Sequence, residues 1–438
     1  MMRRLVPGLV LLCLCVASTA SAQPDAELFN DQELGELRLY LHPRDWRALK
    51  DGYLDNTYYP ADVQWKGALV PSVGIRSRGA GSRSSTKPGL RVDIDHYTAD
   101  QEFLGLRSFV LDNNVTDASL LRERLSMQFF ARMGLHAPRE RHVVLYVNDE
   151  LAGVYAVVES LDKRFLARVF GGETGHVEND GHLFEYKFNY PYYFSYLGDD
   201  LAAYSTLFEA RTREHDSPVD LWGPFEEFTR RLEEDAPLGF AAAVEPFIDT
   251  RQAVRYLAAE SFLAEFDGLL GRWGANNFYV YRFEGSTRLH LLPWDKDQTF
   301  RSANQSIWRN VEENVLVRRL LEVPSLRALY LDALGEAASI ADSLVGPDGQ
   351  PVNDRDATDV RGWLRSEIER EAGQIRDAAK ADPNRWHAPG MFDQEVERLL
   401  EFADTRGPFV MCEVQRARQP STMAECVAPD KLPIFAPE

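Results

Sequence analysis

The sequence predicts an α+β protein of two lobes, a sheet-rich N-terminal lobe over residues 31–165 and a mainly helical C-terminal lobe over 166–410. Three observations carry this. Short runs of alternating apolar and polar residues, the mark of half-buried strands, recur between Leu37 and Glu159 and are broken by one strong helical segment. From Asp200 onward helical periodicity dominates. Inside that helical half lies one hairpin, Asn277 to Phe300, NFYVYRFEGSTRLHLLPWDKDQTF.

The elements follow in order. Residues 1–22 read as a signal peptide: Arg3 and Arg4 precede an apolar run from Leu5 to Val16, and Ala20-Ser21-Ala22 is an A-x-A cleavage signal. A soluble secreted, periplasmic or cell-surface product cleaved near Ala22 is expected, with no membrane span. LRLYL (37–41) is a strand, followed by a short helix from Pro43. Residues 58–70 form a strand pair about Gly67, and VGIRSR (73–78) a further strand. A Gly/Ser loop, Gly79 to Thr86, then leads through Lys87-Pro88 into the strand LRVDI (90–94). Arg76, Arg78, Arg83, Lys87 and Arg91 surround that loop. Flexible glycines, exposed amides and cations are the means of cradling phosphate, although Gly/Ser hairpin loops also occur without one.

FVLDN (109–113) is a strand. Asp117 caps a predicted helix, Ala118 to Met133, whose core stripe leaves Glu123 to one side. Residues 142–147 and 152–159 form a hairpin about Asn148-Asp149-Glu150, and a helix begins at Asp162. YKFNYPYYFSY (186–196) is an irregular aromatic segment, either a lip over a cleft or loop packing. Helices are expected over 221–234, 240–247, 251–270, 315–321, 326–342, 357–379 and 394–406. Cys412 and Cys426 are the cysteines left after leader removal; one disulfide closing the tail 411–438 is expected.

Charge narrows the function. The chain carries 49 basic against 68 acidic residues, a formal net −19. That disfavours nucleic acid and anionic membrane as partners, since both require a basic face. Asp295 and Asp297 stand where the hairpin's second strand ends, Asn277 where the first begins, and Asp267 ten residues earlier. Such acids either cap a turn or hold a hard divalent cation, which takes oxygen ligands. No G-x-S-x-G or H-E-x-x-H pattern supports hydrolytic chemistry, leaving only a carboxylate pair such as Asp267 and Asp295 for it.

A sheet-rich lobe before a helical one is the layout of a protein-kinase-like fold, and the chain resembles the spore coat protein H (CotH) kinase family. Four segments carry the resemblance: Ile75 to Ile94, Ser119 to Arg124 (SLLRER), Val144 to Lys163, and Phe262 to Phe300 with NFYVYR and PWDKDQTF. The resemblance implies transfer of the ATP γ-phosphoryl group to Ser/Thr hydroxyls of a protein substrate, with Mg²⁺ or Mn²⁺. By the same resemblance, Gly79, Gly81 and Ser82 would cover the phosphates. Lys87, or Arg91 in its stead, would contact them, and Glu123 would pair with that cation. Glu159 would mark the hinge near adenine. Asp267 would serve the acceptor hydroxyl, Asn277 and Asp295 would hold the metal, and Asp297 would be a second ligand or orient its neighbours. Two features depart from the family pattern: GLLGRWGAN separates Asp267 from Asn277, and Arg301 stands where Gly is common. They favour the alternative, a catalytically inactive surface structural or adhesive protein.

Overall fold

The computed structural model describes residues 24–171, 179–234, 239–346, 349–352, 360–419 and 425–426. The expected leader over 1–22 lies outside them.

The first half is a barrel rather than an open sheet. Its elements are β1 (Gly35–Tyr40), α1 (Pro43–Asp51), β2 (Tyr59–Trp65), β3 (Ala68–Ser77), β4 (Leu90–Asp93), β5 (Ser108–Asp112), α2 (Arg122–Arg132), β6 (Glu140–Val147) and β7 (Glu150–Glu159). The strands close in the order β1-β2-β3-β4-β5-β7-β6. Closure comes from parallel pairing of β1 with β6, Gly35 opposite Val143 through Leu39 opposite Val147. Alternate residues point inward, as the period of two requires, so Leu37, Leu39, Ile75, Val92, Leu111 and Val157 fill the interior. The strand expected to begin at Val73 is the continuation of β3. Pro71 and Ser72 are absorbed where the β2–β3 register shifts between Ala61 and Val63, and Asp62 accepts the Ser72 amide at 2.9 Å.

The second half contains α3 (Lys163–Phe170), β8 (His182–Tyr186), α4 (Leu201–Ser205), β9 (Phe208–Ala210), α5 (Pro218–Glu233), α6 (Phe240–Val244), α7 (Thr250–Phe262), β10 (Phe278–Arg282), β11 (Leu289–Pro293), α8 (Val315–Glu322), α9 (Pro324–Ala341), β12 (Leu344–Val345), β13 (Arg361–Gly362), α10 (Trp363–Ala381) and α11 (Met391–Arg418). The hairpin β10–β11 belongs to a four-stranded sheet, order β11-β10-β8-β9. Strands β8 and β9 were not anticipated. The aromatic segment 186–196 is loop packing: Tyr186 stacks on Phe278 at 4.7 Å, and Tyr192 and Phe194 are buried beside it.

Three expected boundaries move. Helix α2 begins at Arg122, not Ala118, because Leu120 has φ 62° and Asp117 caps the preceding turn, accepting the amides of Ser119 and Arg122 at 2.9 Å each. Helix α7 stops at Phe262, eight residues early, which releases Asp267 into a loop. Helix α11 runs on to Arg418, so the expected tail from 411 starts inside it; Cys412 and Cys426 are bonded.

The division at 165 is also not clean. The apolar face of α2 packs on the helical core, Phe129 stacking on Phe262 at 5.0 Å. The C-terminal helices return to the barrel half: Arg122 pairs with Glu395 at 2.6 Å, and Arg124 with Asp31, Glu367 and Glu371. A smaller apolar cluster joins the outer face of β5 and β7 (Val110, Ala156, Val158) to the hairpin (Tyr279, Tyr281, Leu292, Trp294).

Candidate active site

That smaller cluster fixes where the site lies. Val110 faces the hairpin, so Asp112, two residues on, faces the hairpin's open end. There β10 begins opposite the end of β11, with Phe278 paired to Pro293. Asn277 and Asp295 therefore flank one strand end, both at positive φ (55° and 53°).

The GLLGRWGAN segment does not separate Asp267 from the asparagines. It folds back on itself: the Gly271 and Asn276 amides both donate to the Gly268 carbonyl, at 2.9 and 3.0 Å. Asn276 Nδ2 then donates to Asp267 Oδ2 at 3.0 Å, and Asn277 Nδ2 to the same oxygen at 3.1 Å. Oδ1 of Asp267 makes no hydrogen bond among the described residues.

The site is crowded with acids. Asp295 and Asp297 from the hairpin exit meet the fields of Asp112, Glu123 on α2 and Glu140 on β6. Burial, then the nearby Asp112, pushes Asp295 up to about 6. Burial raises Asp297 further, with Asp295 adding to it, while a hydrogen bond from Thr116 opposes. Glu123 and Glu140 are raised well above the carboxylate range by burial, Glu123 also by Glu140 and Glu140 by Asp112. Both oxygens of Glu140 are buried and without a partner among the described residues. Carboxylates stripped of water and counter-ions are costly unless a proton or a cation joins them. A proton or a cation would relieve this set, although among the described residues no three of its carboxylates bring oxygens within 4.8 Å of one another. Asp31, Glu367 and Glu371, whose oxygens lie within 4.8 Å of one another, do not form a second such place, because Arg124 already pairs with all three.

The cation facing these acids is Arg78, at the base of the Gly/Ser loop. Its guanidinium lies 3.2 Å from Asp112 and over the Trp294 ring. Burial alone would lower its pKa; Asp112, Asp295 and Glu123 outweigh that and raise it. The loop is braced from below. Asn113 Nδ2 donates to the carbonyls of Ser82 and Lys87 at 3.0 and 2.8 Å, and Arg83 Nε to that of Gly79 at 2.8 Å. Among the described residues, the backbone N–H groups of Gly79 to Arg83 donate no hydrogen bond. They are free to meet an anion.

Three expected site residues sit elsewhere. Lys87 does not pair with Glu123. Its ammonium is buried against Asp382, 2.8 Å away beyond the end of α10, and over the Tyr155 ring. Burial lowers its pKa, and Asp382 opposes that shift. Gly153 makes room for this contact: a Cβ there would sit 2.3 Å from Asp382 Oδ2. Arg91 points along the barrel wall to Asp93 and Ser108. The Glu159 carboxylate is held by Arg139 and Arg168, and its amide donates to the Arg139 carbonyl at 2.9 Å, so its side chain and its N–H are engaged within the protein. Arg78 joins the site from among the five basic residues around the loop, whereas Asp112 and Glu140 join it without having been singled out for it. Period-two alternation along FVLDN could have indicated Asp112.

Comparison with known proteins bears on this arrangement. The family model described as CotH kinase protein matches residues 75–341. The inner spore coat protein H of Bacillus subtilis (strain 168) is 25% identical over 401 residues, 87% of this chain and 98% of that protein. The solved structure of the Helicobacter pylori proinflammatory kinase CtkA aligns over 76% of this chain and 95% of its own, with 11% identity and a TM-score of 0.30, a likeness too distant to bear on the fold.

Proposed function

The chain belongs to the CotH kinase protein family, and on that premise we propose that it transfers the γ-phosphoryl group of ATP to Ser or Thr hydroxyls of a protein substrate at a cell or spore surface. The observation that supports this most is the meeting of Asp267, Asn277 and Asp295 at one hairpin end, under a loop whose amides are unspent. Mg²⁺ or Mn²⁺ on Asn277, Asp295 and Asp297 would neutralise charge on the β- and γ-phosphate oxygens. The amides of Gly79 to Arg83 bind the phosphates, and Arg78 supplies the positive charge first assigned to Lys87. Asp267, fixed through Oδ2 by two asparagines, orients the acceptor hydroxyl and takes its proton. The acceptor oxygen bonds to the γ-phosphorus as the bond to the bridging oxygen breaks and ADP departs. The surface location follows the spore coat relative. Among the described residues no helix is long and apolar enough to cross a membrane.

The engagement of Lys87 and Glu159 favours a second reading, a catalytically inactive surface structural or adhesive protein. One experiment separates the two. Purified protein is incubated with γ-labelled ATP, Mg²⁺ or Mn²⁺ and a Ser/Thr-rich acceptor, alongside Asp267→Ala and Asp295→Ala. Labelled acceptor with the parent and none with either variant is expected. No label with the parent supports the inactive reading, and label with both variants overturns the site.

A further inference from the structure

Lys296 sits between the two acids of the proposed metal site in sequence but turns away from them. Its side chain is wholly buried, and its Nζ lies 2.6 Å from Oε1 of Glu260, itself buried in the last turn of α7. Burial alone would lower the lysine's pKa; Glu260 and then Glu265 reverse that and raise it, so the ammonium is retained. The other oxygen of Glu260 accepts the Leu269 amide at 2.8 Å, two residues beyond Asp267. A Cβ on Gly268 would stand 2.5 Å from Glu260 Oε1, so this contact depends on the absence of a side chain there. A second tie runs alongside, from the Phe266 amide to the Gln298 carbonyl at 3.1 Å. The Lys296 carbonyl, in turn, accepts from Thr299 Oγ1 at 2.9 Å and from Ser126 on α2 at 3.4 Å.

We propose that the Glu260–Lys296 pair is a positioning device that sets the spacing between Asp267 and the acids Asp295 and Asp297, and so the quality of the metal site. Neither residue touches substrate. Glu260 carries the force: one oxygen holds the segment bearing Asp295 and Asp297, the other the loop bearing Asp267. Mg²⁺ and Mn²⁺ sites built from few carboxylates depend on where each oxygen is held. The inference rests on the proposed function for its metal site and for its kinetic half.

The test uses the full chain carrying Glu260→Gln and Lys296→Met together. This removes both charges of the pair together and avoids the instability of either single change. Mn²⁺ affinity is measured by calorimetry on nucleotide-free protein, and kcat and KM for ATP by label transfer. Expected are a melting temperature close to the parent's, Mn²⁺ affinity lowered at least tenfold, and kcat lowered at least tenfold with KM for ATP within threefold. Gly268→Ala keeps both charges and displaces Glu260; it gives the same pattern and serves if the double variant does not fold. Parent-like Mn²⁺ affinity in a folded variant overturns the proposal. A parent that binds Mn²⁺ but transfers no label sinks the kinase reading, while the Mn²⁺ comparison still decides the positioning role.

Discussion

Asn277 and Asp267, ten residues apart in sequence, touch twice: the amide of Asn277 donates to both the carbonyl oxygen and Oδ2 of Asp267, at 3.0 and 3.1 Å. The segment between them folds back on itself, and its two ends are joined by this contact. What reads in the sequence as an insertion thus leaves the two groups in place. Asn277→Ala removes both hydrogen bonds and should cost about 1–3 kcal/mol of stability, measured by urea unfolding. Phosphoryl transfer should fall at least a hundredfold, as the same change removes a ligand of the proposed metal site and loosens Asp267.

The two cations near the Gly/Ser loop should separate by function. Lys87→Met leaves Asp382 buried without its counter-ion and should destabilise by about 3–5 kcal/mol. The double variant Lys87→Met with Asp382→Asn should recover most of that loss, and its turnover per folded molecule should stay near the parent's. Arg78→Ala should instead bring a large fall in kcat/KM for ATP, where the Lys87 double variant leaves turnover near the parent's. A Lys87 variant that folds and yet has lost ATP binding would restore the original assignment.

The metal site should be acid-sensitive. Burial and Asp112 raise Asp295 to about 6, above its ordinary 3.8. The folded state therefore holds this proton more tightly than the unfolded chain. The stability so gained is complete below about pH 4 and lost as pH rises through about 6. Above pH 7 the ionised group costs on the order of 2–3 kcal/mol in metal-free protein. Asp295→Asn should accordingly melt above the parent at pH 7.5 without metal, an advantage that shrinks toward pH 4. Mn²⁺ affinity of the parent should drop as pH falls through about 6, because proton and metal compete for one carboxylate. A pH-independent difference in melting temperature would refute the assignment.

The disulfide should matter mainly for the end of α11. Cys412 and Cys426 close a loop of 14 residues, worth about 3 kcal/mol on loop-closure grounds. Cys412→Ser should fray α11 beyond Val410, read by hydrogen exchange, with catalytic turnover unchanged.

Local patterns in the sequence were enough to place the candidate hairpin, and long-range pairing was what they left out. The hairpin from Asn277 to Phe300 was legible because period-two alternation and a Gly turn act within a few residues. So were β6, β7 and their Asn148-Asp149 turn. Barrel closure was not, since Leu37 meets Leu145 across more than a hundred residues and nothing local encodes that partner. The place of Lys87 was hidden for the same reason: its acid, Asp382, follows it by 295 residues. The start of α2 was misread because Asp117 is a good cap, and it does cap, but a turn rather than the helix. Strands β8 and β9 are short, and the aromatic loop between them obscured their alternation.

The way the chain's two ends return to its middle has a practical consequence for anyone shortening it. The family match spans 75–341, which excludes β1, β2, most of β3, α10 and α11. A fragment cut to those limits would lose the strand that closes the barrel and expose two raw sheet edges, an invitation to aggregate. It would also strand Lys87, Arg122 and Arg124 without Asp382, Glu395, Glu367 and Glu371. A fragment meant to fold on its own should accordingly be larger than the stretch by which the family is recognised, and reach from β1 through α11.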